Sequence, residues 1–214
     1  DKAIGFLERR DKSRPFAMLY YHKAPHRNWM PAQRHLGIND DRVFPEPFNL
    51  LDDYSGRGSA ARGQAMEIGR DMWPEWDLKL MTPEQLAQSY VLETSGDANK
   101  DDVSRANDWR SSVMQYQAAY NRMTPEERAN WDRAYAPRIA EYERMKGRVS
   151  QEELTRWKYQ QYMKDYCAVI KGVDENVGRL LDYLEYWDNR GEQVDLVVCN
   201  YIYDHLYENS RHTV

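Results

Sequence analysis

Apolar residues recur at steps of three and four over a long stretch toward the end of the chain. Leu154, Trp157, Tyr162, Met163, Tyr166, Val169, Ile170, Val173, Val177, Leu180, Leu181 and Leu184 form one continuous stripe. Ser150-Gln151-Glu152-Glu153 provides a helix start and Asn189-Arg190-Gly191 a stop. The spacing predicts one helix of about 35 residues, about 50 Å long. Its aromatic stripe is core, and the charged face with Lys158, Lys164 and Lys171 is expected to be solvated. Asp174 is expected to cap or pair locally. A second, shorter helix is predicted over residues 1–10, with Ala3, Ile4, Phe6 and Leu7 as its apolar positions.

Two runs have strand character instead. Phe16 to Tyr21 is almost unbroken in its apolar content, the pattern of a strand covered on both faces, with Pro15 before it and Pro25 beyond it. Asp195-Leu196-Val197-Val198-Cys199 reads as a second buried strand. Between them, residues 30–80 carry many prolines and glycines and little periodicity. Trp29, Phe44, Phe48, Tyr54, Trp73 and Trp76 nevertheless argue for an ordered loop region, because disordered segments are poor in aromatics. Thr82-Pro83-Glu84-Gln85 and Thr124-Pro125-Glu126-Glu127 are helix starts: a capping Thr, Pro at the first helical position, then acceptor side chains. Ser95 to Asn99 breaks the first of these helices, and helices are predicted over 106–123 and 124–146, with Gly147 as a stop. A helix joining two apolar strands argues for an α/β fold, a mostly parallel sheet covered by helices.

Composition narrows the classes. The chain has 214 residues, 41% hydrophobic and 30% charged, with a net charge of −5, which argues against a general nucleic-acid binder. No apolar run approaches the roughly 20 residues of a membrane helix. Cys167 and Cys199 are expected to be packed free thiols and lack metal-site spacing. The chain starts without Met and inside a predicted helix, so an internal piece of a longer protein is expected.

Within this acidic protein, Lys12 to Asn39 contains no Asp or Glu, while Lys12, Arg14, Lys23, Arg27 and Arg34 are positive. The local positive field suits an anion such as sulfate, phosphate or carboxylate. The first predicted strand runs straight into His22, Lys23, His26 and Arg27, and open α/β sheets place their ligand sites at the carboxyl ends of strands. On these residues alone, His26 is either a site residue or a strand-end histidine bonded to backbone, and Lys23 is either an anion ligand or solvated. Asp52 and Asp53 are an acidic pair, but neighbouring side chains in extended chain point to opposite faces, so a loop-turn role is expected.

Several segments resemble type I sulfatases, formylglycine-dependent members of the alkaline-phosphatase superfamily. They are Arg14-Pro15-Phe16 followed by the apolar run and His22-Lys23-Ala24-Pro25-His26, and the extension Arg27-Asn28-Trp29-Met30-Pro31. Asp52 to Arg57, Trp157 to Tyr166 and Val173 to Leu181 fit the same branch, bacterial sulfatases acting on sulfated glycans. The resemblance implies an alkaline-phosphatase-like α/β/α sandwich. Residues 1–198 would be the central part of its catalytic domain, 30–150 an irregular and helical insertion, and 199–214 a divergent tail.

By the same resemblance, His26 contacts the substrate sulfate and assists departure of the alcohol; a nearby cation such as Lys23 would stabilise both the sulfate and the transition state. His22, Arg27, Asn28 and Trp29 are the candidate substrate-binding residues. Of these, His22 favours a structural role, and Trp29 either stacks on a sugar ring or packs within the loop. The implied cofactor is calcium, and the partner a sulfated carbohydrate, in the periplasm or outside the cell, with no nucleic acid or membrane. Asp204 and His205 stand as a displaced remnant of a calcium-binding pair, lacking the Gly that should follow. The formylglycine motif Cys/Ser-x-Pro/Ala-x-Arg is absent from the sequence, so the segment alone is expected to be inactive. Two alternatives stand beside this: a phosphoesterase or phosphonate hydrolase of the same superfamily, and a non-catalytic glycan-binding or helical interaction module.

Overall fold

The computed structural model describes residues 1–88 and 100–188. Their regular structure is helical: α1 (Lys2–Arg9), α2 (Ser59–Arg62), α3 (Pro83–Gln88), α4 (Lys100–Asn121), α5 (Pro125–Met145) and α6 (Gln151–Asp188), with one 3-10 turn at Gln33–His35. The chain divides into two compact units, one of Asp1–His26 and Ile170–Val214, the other of Arg27–Val169. Helix α6 supplies residues to both.

In the smaller unit, the apolar side of α1 meets the end of α6. Leu7, Leu180 and Leu184 are buried together, and Ala3, Ile4, Phe16 and Met18 pack on them. The Arg10 guanidinium lies 4.5 Å from the centre of the Phe16 ring, and the Lys12 ammonium 3.8 Å from that of Trp187. Asp174 pairs locally with Lys171 at 3.8 Å on the exposed side of α6.

The segment Phe16 to Tyr21 departs from the expected strand. Among the described residues it has no regular structure and no ladder partner. Phe16 and Met18 reach the core, while Leu19 and Tyr21 are each 78% exposed. A strand needs a neighbour to take up its backbone donors and acceptors. The second predicted strand, residues 195–199, lies outside the described residues, so no parallel sheet is seen among them.

The larger unit has two apolar clusters. In one, Val113, Tyr116 and Tyr120 of α4 meet Trp131 and Tyr135 of α5, with Leu86 of α3 beside them. Trp131 stacks on Tyr135 with ring centres 4.6 Å apart and donates its indole N–H to the Tyr116 hydroxyl at 3.0 Å. In the other, Met72, Leu78 and Leu80 of the long irregular stretch close on Tyr142, with Trp157 and Tyr162 of α6 packed against them. Trp29 and Trp76 thus pack against these two clusters, as the composition predicts, whereas Phe48 is 94% exposed. Helix α5 starts with a full capping box: the Glu127 N–H donates to Thr124 Oγ1 at 3.2 Å, and the Thr124 N–H to Glu127 Oε2 at 2.8 Å. Pro137 sits inside α5 without ending it.

Candidate functional site

The segment that carries the candidate residues begins in the smaller unit. The His26 N–H donates to the Lys23 carbonyl at 2.9 Å, which closes a tight turn. Lys23 and His26 both expose their side chains, so an imidazole and an ammonium share one turn open to solvent. His22 is half-buried, its ring edge-on to Tyr20 with centres 4.6 Å apart. Burial pushes its pKa down and favours the neutral imidazole. That placement gives His22 a packing role.

Arg27, Asn28 and Trp29 open the larger unit and are held by it. Arg27 donates from both Nε and Nη2 to the Asp77 carboxylate at 2.6 Å, and from Nη2 to the Asp71 carbonyl at 3.3 Å. Its guanidinium lies 4.6 Å from the Trp76 ring centre and 5.6 Å from that of Trp73. The anion that Arg27 pairs with is thus the protein's own, a carboxylate with no exposed side-chain surface. Asn28 Nδ2 donates to the Trp76 carbonyl at 3.2 Å. Trp29 packs edge-on against Tyr162 at 4.6 Å and Tyr166 at 6.3 Å, which is the loop-packing alternative.

Behind this segment lies a charged network that the pattern of the sequence did not single out. Lys79 is fully buried and donates Nζ to the Asp77 carbonyl at 2.9 Å and to Asp165 Oδ2 at 2.8 Å. Asp165 also accepts from the Tyr135 hydroxyl at 3.1 Å and from Arg138 Nη1 at 2.7 Å, and Arg138 reaches on to Asp40 at 2.6 Å. Burial pushes the Lys79 pKa down, against the pull of Asp165. Lys158, expected on a solvated face, is instead 5% exposed and donates to the Gly69 carbonyl at 3.0 Å and the Met72 carbonyl at 3.1 Å. Burial depresses its pKa as well. One signal was present: Asp77 and Lys79 stand in the apolar, aromatic stretch Met72 to Leu80, and a charge there requires a partner.

The metal candidates Asp204 and His205 lie outside the described residues. Among the described residues, no group of three or more His, Cys, Asp or Glu side chains can hold a metal ion. Asp52 and Asp53 serve turns: Asp52 accepts from the Tyr54 N–H at 2.9 Å and from Arg57 Nε at 2.7 Å, and Asp53 accepts from the Ser55 N–H at 2.7 Å. Among the described residues, no helix is long and apolar enough to cross a membrane.

No family model matches the chain. A curated relative does: the chain is 51% identical over 185 residues to an N-acetylglucosamine-6-O-sulfatase of Bacteroides thetaiotaomicron, covering 86% of this chain. The chain belongs to the sulfatase family over this span. A solved structure agrees, that of BT4656 in complex with its substrate D-glucosamine-2-N,6-O-disulfate. It matches with a TM-score of 0.70 at 50% identity over 86% of this chain. The sulfatase relatives are much longer, since the chain spans 29% of the curated protein and 33% of the solved one.

Proposed function

We propose that this segment works within a sulfuric ester hydrolase acting on a sulfated carbohydrate, with sulfated glucosamine as the substrate class. The supporting observation is the 51% identity to an N-acetylglucosamine-6-O-sulfatase over 86% of the chain. His26 is the proton donor to the departing sugar oxygen. Cleavage of the sulfur–oxygen bond leaves an alkoxide, and an imidazolium N–H beside that oxygen neutralises it as it forms. Lys23, on the same turn, offsets the charge of the sulfate. Arg27, Asn28 and Trp29, which follow His26 in the chain, hold the start of the larger unit through Asp77, the Trp76 carbonyl and Tyr162. The nucleophile must come from outside these 214 residues, because the formylglycine motif is not in the sequence. The parallel sheet and the periplasmic or secreted location implied by the resemblance belong to the same proposal. So does the central-domain role of residues 1–198.

The test is His26→Ala in the full-length protein, assayed on glucosamine 6-sulfate. Turnover is expected to fall by about a hundredfold to ten-thousandfold, the usual weight of a general acid, with an unchanged circular dichroism spectrum. Unaltered turnover removes His26 from the chemistry. Lys23→Ala is expected to raise KM in the same assay.

A further inference from the structure

The carboxylate of Asp77 has no exposed surface and spends both oxygens on two neighbours. One oxygen accepts from Arg27 Nε, and the other accepts from Arg27 Nη2 and from the Trp73 N–H at 2.7 Å. The turn Trp73 to Asp77 therefore grips Arg27 as a two-pronged clamp, with Trp76 under the guanidinium plane and the Trp76 carbonyl on Asn28. The clamp is itself anchored. Lys79 adopts a left-handed backbone conformation, φ +57°, rare for a residue with a side chain, and turns Nζ back onto the Asp77 carbonyl and across to Asp165. Asp165 of α6 is in turn held by Tyr135 and Arg138 of α5. A run of buried, hydrogen-bonded charges thus ties Arg27 to two long helices.

Arg27 is the residue that follows His26 in the chain. We propose that Asp77 is a positioning residue for sulfate ester hydrolysis: by clamping Arg27, it fixes the peptide that carries the His26 imidazole. The proposal rests on the reading of His26 as the acid that protonates the leaving oxygen. A fixed acid matters because a displacement of about 1 Å costs roughly a hundredfold in rate. Such a clamp also gives a use to the buried charge collected around Asp77 and Asp165 in the larger unit. A buried ion pair is weak support for stability alone, and conformational specificity is its better use.

Leaving-group dependence separates this role from a general loss of structure. A sugar alkoxide needs the proton, whereas 4-nitrophenolate leaves without it. In the full-length protein, Asp77→Asn keeps the shape of the side chain and removes its charge. Its loss of kcat is expected to be at least about tenfold larger on glucosamine 6-sulfate than on 4-nitrophenyl sulfate, with KM little changed. Added to His26→Ala, it is expected to cost nothing further on the sugar sulfate. Equal losses on the two substrates, or a full additional loss on the His26→Ala background, overturn the positioning role. His26→Ala alone decides the underlying reading: if it shows no leaving-group dependence, the acid assignment falls first and the clamp with it. Should Asp77→Asn fail to fold, Arg27→Lys keeps the charge and loses the fork. It is expected to show the same substrate difference at smaller size, and equal losses on both substrates again overturn the role.

Discussion

Asp165 serves three buried or half-buried donors at once, on Lys79, Tyr135 and Arg138. Replacing it leaves the buried Lys79 ammonium without its carboxylate and Arg138 with Asp40 alone, whereas replacing Lys79 leaves Asp165 still paired with Arg138. Breaking a buried pair from one side costs about 3–5 kcal/mol. Asp165→Ala is therefore expected to destabilise by that amount or more, and by more than Lys79→Met, as read from urea midpoints at constant m-value. A Lys79→Met variant as unstable as Asp165→Ala would place the weight on the lysine. At this scale little was legible in advance. Position 165 lies between Tyr162 and Val169 on the apolar stripe of α6, so its burial could be inferred, but its partners come from 86 residues upstream and from α5. Local spacing puts Lys158 on the solvated face because it gives the helix direction but not what covers it. The pairing of Arg27 is hidden for a related reason: in a positive segment nothing local shows that Asp77, fifty residues on, takes the guanidinium.

Helix starts were the most legible elements, because their chemistry is confined to four consecutive residues. The two Thr-Pro openings make the same pair of bonds. At α3, the Gln85 N–H donates to Thr82 Oγ1 at 3.2 Å, and the Thr82 N–H donates to Gln85 Oε1 at 2.8 Å. At α5, Glu127 takes the place of Gln85. The negative carboxylate also meets the positive end of the helix dipole. Thr124→Ala is expected to cost about 1 kcal/mol, and Thr124→Gly only a few tenths, in thermal unfolding. No loss on Thr124→Ala would mean that the side-chain bond is not what holds the end. The long helix was legible too, predicted over about 35 residues and observed over 38, since its stripe is unbroken. Residues 16–21 fared differently. Their apolar content marks chain that wants cover on two sides, yet only Phe16 and Met18 find it among the described residues. Strand formation depends on a neighbour that no local pattern supplies.

Across the larger unit, tyrosine is the material that fills the interior. Burial raises the pKa of Tyr116, Tyr135 and Tyr162, and pushes Tyr120 and Tyr142 up to about 12, with Asp132 adding to the effect at Tyr120 and Glu75 at Tyr142. All five belong to residues 27–169. The sign follows from proton binding. In the unfolded chain a phenol ionises near its ordinary value of about 10, whereas in the fold it stays protonated to higher pH, so between those values the folded state holds more protons. Stability is fully present below about pH 10 and is lost as pH rises toward 12 and beyond, where ionisation also adds charge to a chain already at −5. Alkaline unfolding is therefore expected, with tyrosinate absorbance and loss of helical circular dichroism rising together. Tyr120→Phe removes one of these protons without removing the ring, and is expected to make the decline of stability with pH shallower. The Tyr120 hydroxyl is bonded to Asp132 at 2.9 Å, so that variant also loses a hydrogen bond, and its stability at neutral pH should drop while its alkaline slope eases. Titration of all sixteen phenols near pH 10 while the helices stay intact would mean that these five rings are open to water, and the packed core described for α4 and α5 would not hold.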